Sequence, residues 1–102
     1  MGKIARELRE SLRLTQQEMA RELGITNVQL SLIENCKSFP SRALIDRFRQ
    51  KFEVDLYILA WCREEGGNNN VPPSLRRPAA ELAKAWDQRF KTVVKRYRRP
   101  QP

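Results

Sequence analysis

The chain has 102 residues, 40 % of them hydrophobic, which is room for one small domain and an appended helix but not for two domains. It contains no histidine and only two cysteines, so the commonest general base and the usual zinc ligand sets are missing. Cys36 and Cys62 read as small hydrophobes in a reducing, cytoplasmic setting, and no metal or other cofactor is expected. The net charge of +8 is lopsided: residues 1–73 carry eleven Lys/Arg against ten Asp/Glu, and residues 74–102 carry nine against two. Such a split favours a polyanionic partner, nucleic acid ahead of a membrane surface.

Helical spacing dominates, and no stretch alternates with the period of a strand. Lys3 to Arg13 sets Ile4, Ala5, Leu8 and Leu12 on one face. Thr15 opens a second helix, where Glu18, three residues on, completes a capping box. Met19, Ala20 and Leu23 form its apolar stripe, and Gly24 ends it. Thr26 caps a third helix running to about Asn35, with Leu30 and Ile33 inward. Phe39-Pro40 breaks the chain, and Ser41 caps a fourth helix that buries Leu44, Ile45, Phe48 and Phe52. Asp55 caps a fifth, Leu56 to Arg63, which is apolar nearly all round and so needs cover on a second side, from another element or another chain. The longest apolar run, Leu56 to Cys62, is too short to cross a bilayer, and Met1 leads straight into charged sequence rather than a signal segment.

Residues 64–77, with Gly66-Gly67, an asparagine run and Pro72-Pro73, read as a linker. It joins a domain over residues 1–63 to a C-terminal basic helix and tail over 78–102. The last helix is expected from about Ala79 to Arg98, with Leu82, Trp86, Phe90, Val93 and Tyr97 in one stripe.

The informative stretch is Leu14 to Asn35, two short helices joined by a tight turn at Gly24-Ile25. Ala20 is small where two crossed helices must approach, and Ile25, Leu30 and Ile33 hold the second helix to the third. These features define a helix-turn-helix whose outward third helix is free to enter a major groove. Residues 3–61 closely resemble the Xre/Cro/C1 family, the lambda repressor-like DNA-binding domains. The resemblance is carried by Leu14-Thr15-Gln16, Glu18-Met19-Ala20, Leu23-Gly24-Ile25-Thr26, Leu30-Ser31, Ile33-Glu34, Pro40, Val54-Asp55-Leu56 and Leu59. It implies an all-α bundle of five helices, here followed by the C-terminal amphipathic helix. Two positions depart from the pattern: Arg13 and Cys36 stand where the family usually has glycine.

The resemblance also implies roles. Gln16, with Gln17 beside it, sits at the amino end of the second helix, where the family binds a phosphate; unpaired N–H groups and a partial positive charge suit that position. Asn27, Val28 and Leu32 match base-reading positions, flanked by Thr26, Gln29 and Ser31. Asn35, Lys37 and Arg42 match later backbone contacts, which position the protein without reading sequence. Glu34 is expected to pair with Arg9, a structural role. Plainer readings stand beside these: Gln16 as a good first-turn residue, and Val28 and Leu32 as core under another helix.

The C-terminal helix admits three readings. Its stripe packs on the fifth helix or on that helix of a second copy, with Ile58, Trp61, Leu82, Trp86 and Phe90 at a dimer contact. Its basic end adds phosphate contacts. Or the tail is a disordered arm that folds on another protein. The expected function is a sequence-specific, double-stranded DNA-binding transcriptional regulator, a homodimeric repressor of bacterial or phage type on a roughly palindromic operator. The alternative is an antitoxin-type or partner-controlled regulator. Enzymatic activity is not expected, because no nucleotide-phosphate loop and no paired carboxylates are evident. RNA binding through a sheet of stacking aromatics is not expected either.

Overall fold

The computed structural model describes residues 1–64 and 71–100, and all of its regular structure is helical. Most of the first half of the expected linker, residues 65–70, and residues 101–102 of the expected tail lie outside the described residues. The elements in chain order are α1 (Gly2–Ser11), α2 (Gln16–Leu23), α3 (Asn27–Glu34), α4 (Arg42–Phe52), α5 (Leu56–Glu64), a 3-10 turn (Pro73–Leu75) and α6 (Arg76–Tyr97). Among the described residues no helix is long and apolar enough to cross a membrane.

The caps explain most of the boundaries. Thr15 and Glu18 form a full capping box on α2, Thr26 and Gln29 form another on α3, and the Ser41 hydroxyl accepts the Leu44 N–H at 3.1 Å on α4. Asp55 accepts the Ile58 N–H at 3.0 Å at the start of α5. α6 begins three residues before the expected Ala79: a 3-10 turn starting at Pro73 feeds it directly, so Pro78 lies inside the first turn. That turn is tolerant because its N–H groups have no intrahelical acceptor.

Arg13 and Cys36, the two residues in place of glycine, both adopt the left-handed conformation (φ 60° each), so the turns keep their shape at the expense of Cβ strain. Glu53 does the same at the end of α4 (φ 57°). Gly2 has a different reason to be glycine: a Cβ there would stand 2.2 Å from the Ile33 carbonyl oxygen, so α1 starts in backbone contact with the end of α3.

Leu8, Leu12, Met19, Leu23, Leu30, Ile45, Phe48, Leu56 and Leu59 form the centre of the core. α6 completes it, since Phe90, Val93 and Val94 join the same cluster and Trp86 packs against it. The second cover that α5 needs is therefore its own chain's α6. Arg63 ties the three helices together, stacking 5.1 Å from the Phe90 ring centre, pairing with Glu7 of α1 at 2.9 Å and reaching Asp87 of α6 at 3.6 Å. Glu53 anchors the far end: its carboxylate pairs with Arg96, and its carbonyl accepts from Arg89 Nε at 3.2 Å. Phe52 meets Tyr97 edge-on at 5.9 Å.

Candidate nucleic-acid interface

α2 and α3 are set against each other by three separate devices. Gly24 takes the left-handed conformation (φ 68°), and the Ile25 N–H returns to the Ala20 carbonyl at 3.0 Å, closing α2 in a tight turn. Arg47 of α4 then donates to the Leu23 carbonyl at 2.7 Å and to the Gly24 carbonyl at 3.3 Å. This bridge was not legible in sequence, because nothing in a residue spacing of over twenty marks a side chain that reaches a turn carbonyl.

The third device is a buried charge network. Arg9 donates from Nε to Glu34 Oε2 at 2.8 Å and from Nη2 to Oε1 at 3.0 Å. Its remaining Nη1 reaches the Leu14 carbonyl at 3.0 Å. Gln16 joins through Nε2 to Glu34 Oε1 at 3.2 Å. The expected Arg9–Glu34 pair is thus present, and it links α1, the loop before α2, α2 and α3. A bidentate pair of this kind fixes angle and register more than it adds stability.

The outer surface follows from what these devices leave free. The Thr15 hydroxyl satisfies the Glu18 N–H at 3.1 Å, which leaves the Gln16 and Gln17 N–H groups at the amino end of α2 without an intrahelical acceptor. On α3, Leu30, Ile33 and Glu34 face inward, while Asn27, Val28, Gln29 and Leu32 face solvent and Ser31 is half-buried. Val28 is 69 % exposed and Leu32 41 %, so neither packs under another helix.

Besides Gln16, four of the expected contact residues, Thr26, Gln29, Ser31 and Asn35, have internal partners. The Gln29 side-chain oxygen accepts the Thr26 N–H at 2.8 Å, as part of the α3 cap. Thr26 returns its hydroxyl to the Gln29 N–H at 3.0 Å. Asn35 donates its amide to the Ser31 carbonyl at 2.9 Å and to the Ser31 hydroxyl at 3.3 Å, which leaves it an acceptor and ill-suited to a phosphate. Lys37 and Arg42 are exposed on the segment after α3.

Residues 1–56, which contain this whole arrangement, match the helix-turn-helix domain family. The chain belongs to that family. It is a helix-turn-helix DNA-binding domain of Xre/Cro type carrying a long C-terminal helix. A curated relative, the ImmF control region 10 kDa protein of Bacillus phage phi105, is 32 % identical over 83 residues, covering 78 % of this chain and 92 % of the relative. Its similarity therefore runs beyond the matched domain into the C-terminal part. No solved structure matches the chain.

A second surface lies at the other end of α5. Trp61, Val71, Pro72, Leu75, Pro78, Ala79 and Leu82 line an apolar groove of about 390 Å³. Trp61, Leu75 and Leu82 are 39 %, 54 % and 43 % exposed there. Of the five residues expected at a dimer contact, Trp61 and Leu82 sit in this groove. Ile58 and Trp86 are half-buried beside Arg49, Glu53 and Arg89, in a separate depression. Phe90 is only 6 % exposed, absorbed by its own chain's core, and offers nothing to a second copy.

Proposed function

We propose that this helix-turn-helix protein is a sequence-specific regulator of transcription, acting in the cytoplasm as a homodimer on double-stranded DNA. One observation carries the reading: the solvent face of α3 presents Val28 and Leu32 exposed between Asn27, Gln29 and Ser31. An amphipathic helix has no reason to place apolar side chains there unless they meet a partner. Thymine methyl groups in a major groove are the partner that fits, with amides alongside to read base edges. The free N–H groups of Gln16 and Gln17, with Lys37 and Arg42 exposed further along, supply the backbone contacts that hold the helix in register.

The relative's description as a control region protein supports a regulatory role, with repression the simplest form of it. A homodimer would place two recognition helices about 34 Å apart, one helical turn, on half-sites of a palindrome. The apolar groove at Trp61 and Leu82 supports self-association, and it equally suits a partner-controlled regulator of antitoxin type.

Fluorescence anisotropy on the duplex upstream of the protein's own coding sequence, beside a scrambled duplex and at two salt concentrations, tests the reading. Discrimination of roughly 10³-fold or more is expected. Equal, salt-sensitive binding to both duplexes would refute operator reading at that sequence. Sedimentation with a co-purifying small protein would favour the partner-controlled form.

A further inference from the structure

We infer that the carboxyl end of α6 is a second backbone-phosphate contact for duplex DNA, a cationic flank beside the amino end of α2. The inference rests on the DNA-binding reading above.

The residues that follow α6 are docked on the loop between α1 and α2. The Arg99 N–H donates to the Leu12 carbonyl at 3.0 Å, and Arg13 Nη1 donates back to the Arg99 carbonyl at 3.3 Å. Arg98 Nε donates to the Ser11 carbonyl at 3.0 Å. The Arg99 guanidinium pairs with Glu18. Glu18 is the capping residue of α2, whose other oxygen accepts the Thr15 N–H at 2.9 Å. One carboxylate thus joins the end of the chain to the first turn of the helix that presents free N–H groups.

The placement decides what this can do. Residues two apart on a helix face opposite sides. At the start of α2, Gln16 is bonded to Glu34 of α3 and Glu18 to Arg99. The phosphate-accepting end of α2 therefore lies between the recognition helix on one side and the C-terminal arginines on the other. A duplex laid across α3 and the start of α2 continues onto Arg99, Arg98 and Arg13.

The electrostatics agree. Arg13, Lys95 and Arg98 have no carboxylate within ion-pair distance among the described residues, and Glu18 is the carboxylate that pairs with Arg99. Ser11, Lys91, Lys95 and Arg98 also line a crevice of about 350 Å³ continuous with this edge. Arg13, Lys95 and Arg98 therefore face a polyanion without first giving up a carboxylate, whereas Lys91 pairs with Asp87 at 3.3 Å and Arg99 with the part-buried Glu18. Surface pairs of that kind are weak enough for a phosphate to displace.

The test is the salt dependence of binding to the upstream duplex and to its scrambled counterpart. Each neutralised phosphate contributes about 0.9 to the log–log slope. Arg98→Gln with Arg99→Gln should lower the slope by about 1.8, so a fourfold rise in salt weakens the variant about tenfold less than the wild type. Arg77→Gln with Lys84→Gln removes the same charge from the far end of α6 and should leave the slope unchanged. Arg98→Lys with Arg99→Lys keeps the charge and should keep the slope, with thermal melts monitoring the fold of every variant. Equal slope losses for the near and far pairs would overturn the inference in favour of overall charge. Loss of slope in the lysine variant would overturn it in favour of a structural role, as would an unchanged slope in the glutamine variant. A wild type that binds neither duplex would defeat the DNA-binding reading itself, and the inference with it.

Discussion

Removing Glu34 strands more than one group. Its carboxylate is the acceptor for two Arg9 nitrogens and for the Gln16 amide, and its side chain is 1 % exposed against 11 % for Arg9. Glu34→Ala leaves a guanidinium in a nearly dry site with the Leu14 carbonyl as its remaining hydrogen-bond acceptor and the exposed Glu10 carboxylate, 3.8 Å away, as its remaining counter-charge. A buried charge left with no partner at all costs about 3–5 kcal/mol. Arg9 can swing partly toward water, so about 3 kcal/mol is the expected loss, a large fraction of the ~5–10 kcal/mol that holds a domain of this size. The double substitution Arg9→Met with Glu34→Leu removes both charges and should fall within about 1 kcal/mol of the wild type. Urea denaturation followed by far-ultraviolet circular dichroism measures all the variants, with the singles Arg9→Met and Glu34→Leu completing the cycle. A Glu34→Ala loss below about 1 kcal/mol would refute the reasoning. So would a double variant no more stable than the single, because the destabilisation would then come from lost packing rather than a stranded charge.

Asp55 sets an acid limb. Burial disfavours its charge, but the Ile58 N–H and the Arg49 guanidinium, at 2.6 Å, outweigh that and hold its pKa below the ordinary 3.8. The folded chain therefore takes up this proton less readily than the unfolded one, so Asp55 contributes fully above the ordinary value and loses its contribution as pH falls through the depressed one. Asp55→Asn should lower stability at neutral pH and flatten that limb in pH-dependent melts. Cys36→Gly relieves a Cβ held at φ 60° and should raise stability by about 1 kcal/mol, read in the same urea titration. Trp61→Ala with Leu82→Ala should weaken self-association about tenfold or more in sedimentation equilibrium; an unchanged constant would take the dimer contact away from that groove.

Local order was well written in the sequence. Thr15 with Glu18, Thr26, Ser41 and Asp55 mark helix starts through bonds that span three residues, which are visible in spacing, and Gly24 marks a helix end by the left-handed backbone that glycine adopts freely. The stripe of Phe90 and Val93 announced a buried face but not its host, because periodicity records that a side chain is hidden and not what hides it. The positive φ of Glu53 had no sign at all: glutamate is not a residue that marks a left-handed turn, and three ties from α6 hold it there. Gly2 was equally silent, since its constraint is a carbonyl over thirty residues away. On the candidate interface, the exposure of Val28 and Leu32 followed from the motif. The internal engagement of Gln29 and Asn35 did not, because an amide can serve the backbone or a partner and its neighbours decide which.

The α3 cap has a consequence for base choice. A glutamine that reads adenine does so with its oxygen and its nitrogen together. Gln29 has already given one lone pair of its oxygen to the Thr26 N–H, while both protons of its NH₂ group have no acceptor among the described residues. Held that way, the side chain has more to donate than to accept. In a major groove that bias would favour acceptors such as guanine O6 and N7 or thymine O4 over the amino group of adenine or cytosine. The cap that begins α3 would thereby bias the alphabet that helix can read, before any duplex is present.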